Sequence, residues 1–375
     1  MRQRHRVTDR LPSFPWDRLD PYRTVATAHP DGIVDLSIGT PVDPVAEELQ
    51  SALAAGADAP GYPTTHGTAE LRSAVVAWLH RRHGVDIEPE AVVPTIGSKE
   101  LVSWLPTLLG LGEGDTVAHP ELAYPSYDIG IRLAGATPLP ADGVTALGPA
   151  RVPLVWLNSP ANPTGQVLPV EHLRKMVSWA RETGAILASD ECYLDLGWEG
   201  TAPTSILHPQ VCGDSHANLL AVHSLSKRSN LAGYRAGFVT GDPKLVAELL
   251  AVRKQAGMIV PAPVQSAMRA ALADDEHAER QRARYAERRS ALRTALTEAG
   301  WQVDHSEAGL YLWVSHPEYD GWESVALLAE HGILVAPGEF YGPAGARHVR
   351  VAFTATDERV QAALQRLAKL RRAAV

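Results

Sequence analysis

The stretch VPLVWLNSPANPTGQVLPVEHLRKMVSWARETGAILASD, residues 152–190, reads as strand, turn, helix and strand. VPLVWLN and AILASD are short apolar runs without polar alternation, the pattern of strands covered on both faces, and a longer helical segment separates them. The same rhythm extends outward. AVVPTIG leads into SKELVSWLPTLLG and DTVAHP into AYPSYDIGIRLAG, while NLLAVHS and RAGFVTG follow to about residue 240. Repeated strand–helix alternation predicts an α/β domain with a mostly parallel central sheet.

The flanks differ in grain. From residue 273 a charged helix, DDEHAERQRARYAERRSALRTALTEAG, precedes three strand candidates, GLYLWVS, GILVAPG and HVRVAFT, with one helix between the first two. This is an α+β grouping, so the expected domains are a large one over 39–272 and a smaller one over 273–375. Residues 1–38 begin with a proline- and arginine-rich arm holding Phe14 and Trp16, expected to join the smaller domain.

The chain of 375 residues carries 35 basic and 43 acidic side chains, and no basic block interleaved with aromatics, so nucleic acid is not an expected partner. Two cysteines, Cys192 and Cys212, cannot build a disulfide framework or a four-thiolate site; a reducing cytoplasm is expected, and no metal. The basic N-terminus lacks an apolar run behind it, and no long uncharged apolar segment follows, which predicts neither secretion nor a membrane span.

In a parallel α/β sheet, ligands bind beyond the carboxyl ends of the strands, so the polar residues that end the apolar runs are informative. Asn158 ends one run and is followed by Asn162; Asp190 ends the next and is followed by Glu191, Cys192 and Tyr193; Ser224 ends a third, just before Ser226 and Lys227. A lysine at an apolar rim can become a nucleophilic amine when burial or a nearby cation such as Arg235 lowers its pKa. A buried aspartate keeps a pyridine nitrogen protonated, which is what pyridoxal phosphate chemistry requires. Asp190 suits that role, and Tyr193 and Asn162 can donate to the ring's 3-oxygen. Backbone N–H groups at a helix start by Ser98 and Lys99, hydroxyls of Ser98, Ser224 and Ser226, and the fork of Arg235 supply phosphate donors. Tyr124 is placed to lie over the ring. Taken singly, Asn-Pro reads as a turn and Asp-Glu as an exposed helix start; taken together they share one rim. Arg350, inside the strand-like HVRVAFT, calls for an anion if buried.

GSKE (97–100), NSPANPTG (158–165), SDECY (189–193), SLSKRSNLAGYRAGF (224–238) and RVAFT (350–354) together resemble the fold-type I, class I and II aminotransferases. The resemblance implies a fold-type I α/β architecture and pyridoxal 5'-phosphate carried covalently by Lys227, whose amine then moves the proton at the substrate α-carbon. It implies that Asp190, Tyr193, Asn162, Tyr124, Ser98, Lys99, Ser224 and Arg235 hold the cofactor. Arg350 would grip the substrate α-carboxylate, assisted by Asn162 and the backbone at Gly39. It also implies a homodimer with shared active sites, in which Tyr62 crosses to the partner's phosphate, and ping-pong exchange between amino acids and 2-oxo acids with glutamate as the default donor.

PSFPWDRL, HPDGIVDLSIGTPVDPV, PGYPTTHGTAELR and RKQAGMIVPAPVQ resemble the succinyldiaminopimelate transaminases of actinobacterial type, which serve lysine and cell-wall precursor synthesis. The substrate would be N-succinyl-2-amino-6-oxopimelate, and Arg23, Arg253 and Lys254 are candidates to read its distal carboxylate. Other readings are another class I/II aminotransferase, acting on aspartate, alanine, aromatic acids or unsuccinylated diaminopimelate, or a C–S lyase or decarboxylase using the same cofactor residues.

Overall fold

The computed structural model describes residues 6–149 and 151–373. Residues 152–190 fold as read: β4 (Leu154–Asn158), the helix Val170–Thr183 and β5 (Ile186–Asp190), with Asn158 level with Asp190 in a parallel pairing. The helix buries Leu173, Met176, Val177 and Ala180, one face at helical spacing, and stops at Gly184, whose φ of 75° suits the residue that ends a helix.

The other strands of this sheet are β1 (Val92–Ile96), β2 (Thr116–His119), β3 (Thr137–Pro140), β6 (Leu219–Ser224) and β7 (Ala236–Gly241). Their order is β1-β7-β6-β5-β4-β2-β3. Only β7 points against the other six strands, so the sheet is mostly parallel. Two separate apolar cores cover it. One takes Val155, Leu157, Leu187 and Ala221 with the helices Ala69–His83 and Val170–Thr183; the other takes Leu154, Trp156, Ala188 and Val222 with Ser98–Leu108 and Ser126–Ala134. Alternate residues of the central strands thus go to opposite cores, which is why these runs show no polar alternation.

The second sheet is antiparallel: β8 (Gln302–Asp304), β9 (Tyr311–Ser315), β10 (Ala336–Pro337) and β11 (His348–Ala352), in the order β10-β11-β9-β8. GILVAPG is not one strand, contrary to the sequence reading. Ile333–Leu334 pairs in parallel with Val34–Asp35, and only Ala336–Pro337 pairs with β11. The chain after the arm claims the first half, since Leu36 N–H donates to Leu334 O at 2.7 Å.

The arm forms single turns at Val7–Arg10 and Pro15–Leu19 and then the helix Asp20–Thr27. Leu19, Ala26, Val34 and Leu36 share a core with Leu312, Val325, Leu328 and Val351, and with Tyr285 and Leu292 of the long helix Glu276–Glu298. Among the described residues no helix is long and apolar enough to cross a membrane.

Candidate active site

A cavity of about 700 Å³ opens where β4, β5 and β6 end at Asn158, Asp190 and Ser224, and the arm and second sheet form its far wall. Every residue assigned to the cofactor borders it except Tyr62, and so do Gly39, Arg23 and Arg350.

Asp190 is 6% exposed and has no ion-pair partner among the described residues. Tyr127 Oη donates to its Oδ2 at 2.8 Å and the Cys192 N–H to Oδ1 at 3.2 Å. Burial raises its pKa against the pull of those hydrogen bonds. A carboxylate held this way fits a cationic ring nitrogen, because that partner supplies the charge the protein withholds.

Lys227 Nζ donates to Gly39 O at 2.7 Å. Burial lowers its pKa, and Arg350 and Arg235 push the same way, so more of the amine is neutral and nucleophilic. Gly39 must be glycine here, since a Cβ would collide with the Tyr311 ring.

The end of the cavity expected to take the phosphate is built from backbone. Gly97, with φ of 71°, precedes the helix Ser98–Leu108, and a Cβ on it would overlap the Arg235 guanidinium. A Cβ on Gly237 would sit 3.0 Å from Ser98 N. Arg235 itself adopts φ of 58°, a conformation costly for a side chain of that size. Ser224 Oγ accepts from Ser226 N–H at 3.1 Å, and the Lys99 ammonium lies 6.0 Å from the Tyr124 ring centroid. This cradle of helix N-terminus, hydroxyls and guanidinium suits a phosphate. Gly97→Ala is expected to weaken cofactor affinity at least about tenfold, since both the positive φ and the Arg235 contact are lost, about 1–3 kcal/mol in all. Equilibrium titration with pyridoxal phosphate checks this; unchanged affinity would remove the cradle from the account.

Arg350 is 3% exposed and has no carboxylate partner among the described residues. Its Nη1 donates to Asn162 Oδ1 at 2.9 Å and its Nη2 to Ser37 O at 2.8 Å, while the guanidinium lies 3.9 Å from the Tyr311 ring centroid. Asn162 is held in turn by its own N–H to Asn158 Oδ1 at 2.8 Å, which leaves its amide nitrogen free to donate elsewhere. Tyr193 and Tyr311 hydroxyls are 3.1 Å apart. Burial raises both phenols, but at Tyr311 Arg350 and Lys227 outweigh it and bring the pKa below the ordinary value; either hydroxyl can be the donor of the pair.

Tyr127 and Tyr311 were not singled out in the sequence. Tyr311 had a signal: β9 pairs Tyr311 with Ala352 and Trp313 with Arg350, so strand alternation places it on the face of Arg350. Tyr127 had none, because its aspartate lies 63 residues away.

Two expected contacts, Lys254 and Arg253, are absent from the cavity, while Tyr62, expected to reach the partner's cofactor, lies outside its own. Tyr62 is fully exposed on a loop. Lys254 is exposed and borders another part of the surface. Arg253, proposed as a reader of substrate, is 0% exposed and ion-paired to Glu100 at 2.8 Å. Its stem lies on the buried face of the helix Pro243–Ala256, so its charge goes to the first turn of Ser98–Leu108 instead. Arg253→Ala is expected to destabilise the protein by about 3–5 kcal/mol, while Lys254→Ala stays within about 0.5 kcal/mol. Thermal or denaturant unfolding of both variants measures the difference; equal effects would contradict the placement.

Residues 31–367 match the model of "Aminotransferase class I and II". The chain belongs to that family. It is an aminotransferase that uses pyridoxal 5'-phosphate. The "Probable aminotransferase Rv1178" of Mycobacterium tuberculosis is 64% identical, the match spanning 96% of this chain and 86% of that protein. The "4-dedimethylamino-4-oxo-anhydrotetracycline transaminase OxyQ" of Streptomyces rimosus is 60% identical over 95% of this chain and 99% of its own. Among solved structures, a "probable N-succinyldiaminopimelate aminotransferase" from Thermus thermophilus superposes with a TM-score of 0.86 at 29% identity, covering 96% of this chain and all of that one.

Proposed function

We propose that this aminotransferase moves an amino group between glutamate and a 2-oxo acid whose far end is bulky and carries no free carboxylate. The observation that carries the reading is Arg350: a buried guanidinium, bordering the cavity near Lys227, without an acidic partner of its own among the described residues. It suits the α-carboxylate common to every amino donor and oxo-acid acceptor, held bidentately.

When bound, pyridoxal phosphate supplies the electron sink for the α-carbon. The rest is done by the chain. Asp190 would keep the proton on the ring nitrogen, Asn162 would donate to the ring's 3-oxygen, and Tyr193 would do the same with its hydroxyl hydrogen while accepting from Tyr311. Lys227 Nζ takes and returns the proton at the substrate α-carbon, and Arg350 orients the carboxylate so that this hydrogen faces the amine. Phe14, Trp16 and Ile38 border the mouth and limit water there.

The mouth argues against a distal anion. Arg253 is spent on Glu100, and Arg23 is held by Asp35 at 2.7 Å. The arm instead brings Asp17 and Asp20 beside Phe14 and Trp16. A carboxylate that reached the mouth, farther out than the γ-carboxylate of glutamate, would meet like charge there, whereas a large ring system or a cationic end would not. The likeness to a transaminase named for a tetracycline intermediate supports this over N-succinyl-2-amino-6-oxopimelate. The succinyl substrate stays as the second reading because of the Thermus structure, and unsuccinylated diaminopimelate because an Aquifex aeolicus "LL-diaminopimelate aminotransferase" is 33% identical.

The active form in this reading is a cytoplasmic homodimer, in which the exposed Tyr62 reaches the neighbouring cofactor. Glutamate-loaded enzyme offered a panel of oxo acids, with products followed by mass, tests the substrate. Preference for N-succinyl-2-amino-6-oxopimelate over bulky acceptors would overturn the main reading. Arg350→Ala is expected to lower kcat/KM for glutamate and acceptor alike by about 10²–10³-fold, the value of a buried charged pair. A loss confined to one of them would place the α-carboxylate elsewhere.

A further inference from the structure

The residues next to those that face the cofactor turn the other way. Asp190, Ser224 and Lys227 border the large cavity, while their neighbours Glu191, His223 and Arg228 border a small one of about 10 Å³, beside Asp195 and Trp78. Glu191 and His223 are each 2% exposed and Arg228 is 4% exposed. The Asp-Glu pair is therefore not an exposed helix start.

Asp195 is the charged member of this group. Arg228 Nε meets its Oδ2 at 2.6 Å and His83 Nε2 lies 3.1 Å from Oδ1. Burial opposes its ionisation, but His83, Arg228 and Arg82 outweigh burial and hold its pKa well below the usual carboxylate range. Glu191 has no such partner. Its Oε1 accepts the Ile206 N–H at 2.7 Å, Ser205 and Ser189 hydroxyls lie beside the carboxyl, and its Oε2 has no hydrogen bond among the described residues. The nearest ring nitrogen, His223 Nε2, is 3.7 Å away, too far for a direct bond. His223 is stacked on Phe238 at 4.9 Å and lies edge-to-face with Trp78 at 5.5 Å, and neither of its nitrogens is hydrogen-bonded among the described residues. An imidazolium between two aromatic rings, away from solvent, is disfavoured, and an ionised Glu191 one residue from buried Asp190 is disfavoured too. Burial accordingly takes His223 down to about 3 and Glu191 up to about 7.

We propose that Glu191 is a positioning residue for Asp190: joined to His223 through one buried water, it fixes the ends of β5 and β6 that present Asp190 and Ser224 to the cofactor. The cavity of about 10 Å³ is just large enough for one water, and Glu191 Oε2 and the His223 ring offer it polar atoms without a hydrogen bond among the described residues. The groups that face the pair are Asp190 and Cys192 on the same segment, and Asp195, His83 and Arg228 across the cavity. A neutral acid here adds no second negative charge beside Asp190, and so leaves Asp190 as the carboxylate that meets the ring nitrogen. The inference rests on the cofactor lying against Asp190.

The test uses the cofactor-loaded enzyme with Glu191→Gln and Glu191→Ala. Glutamine keeps the shape and a donor without a charge, so cofactor affinity and the pH midpoint of the visible absorption band should stay within about twofold and about 0.2 pH unit of the parent. Alanine removes the bridge; affinity should fall about tenfold or more and the midpoint should move by at least about 0.5 pH unit. Glutamine as harmful as alanine would show that Glu191 acts as a charge, and alanine without effect would show that it positions nothing; either overturns the proposal. Should the alanine variant fail to fold, a crystal structure of the parent decides: a water within hydrogen-bonding distance of Glu191 Oε2 and His223 is expected, and direct contact or a dry cavity contradicts it. A parent that binds cofactor but does not transaminate would refute the functional reading and leave these binding comparisons valid.

Discussion

Lys227→Ala is expected to give a folded protein that binds pyridoxal phosphate without a covalent link and converts glutamate at least about 10⁴-fold more slowly, the upper range for losing a placed acid–base group. The fold should survive because the Nζ has one hydrogen bond, to Gly39 O at 2.7 Å, and no ion pair among the described residues. No neighbour can take its place. Lys99 is exposed beside the Tyr124 ring, Tyr193 is bonded to Tyr311, and Arg350 does not deprotonate in this range. Single-turnover absorbance with glutamate measures the effect, and a rate within tenfold of the parent would remove Lys227 from the proton transfer.

Asp190→Asn is expected to lower the same half-reaction by about 10³-fold, comparable to removing one aimed electrostatic group, with the fold intact. The opposite effect should appear in the cofactor-free protein. Burial raises the pKa of Asp190 in the folded state, so folding favours its protonated form. Its ionisation therefore costs stability, a cost absent below the unfolded value and fully present once the pH exceeds the raised one. The asparagine variant escapes this. Without cofactor its Tm should be higher than the parent's at neutral pH and approach it as the pH falls, whereas the Tm gain on adding cofactor should be smaller. Tyr127, which donates to Asp190 Oδ2 at 2.8 Å, can donate equally to an amide oxygen in the same place. A cofactor-free variant less stable than the parent at pH 7 would mean that Asp190 is satisfied without a cation.

The strand-end residues were legible because their signal is local. An apolar run that stops at Asn158, Asp190 or Ser224 states both a strand and its polar end, and a parallel sheet brings those ends to one rim. Arg350 was legible for a similar reason, as a charge inside an apolar strand. What escaped depends on distant partners. A helical Arg-Lys pair looks solvated, and nothing near Arg253 signals Glu100, 153 residues earlier. Asp-Glu after a strand looks like an exposed helix start until His223 and Asp195 close over Glu191. GILVAPG has the composition of one strand, and only the competition of Val34–Asp35 for its first half divides it. The mouth of the cavity was hardest to read: the arm's Phe14, Trp16, Asp17 and Asp20 lie far in sequence from the strand ends at Asn158, Asp190 and Ser224, and their meeting there follows from burial of Leu19 and Ala26 in the core shared with the antiparallel sheet.

Every role proposed at the rim of β4, β5 and β6 depends on Lys227 being the residue that carries the cofactor. Borohydride reduction of the yellow, cofactor-loaded enzyme, followed by proteolysis and mass mapping, tests this most directly. The reduced pyridoxyl group is expected on Lys227 in the peptide spanning Ser224 to Arg235, and its appearance on Lys99, Lys254 or any other lysine would contradict the account.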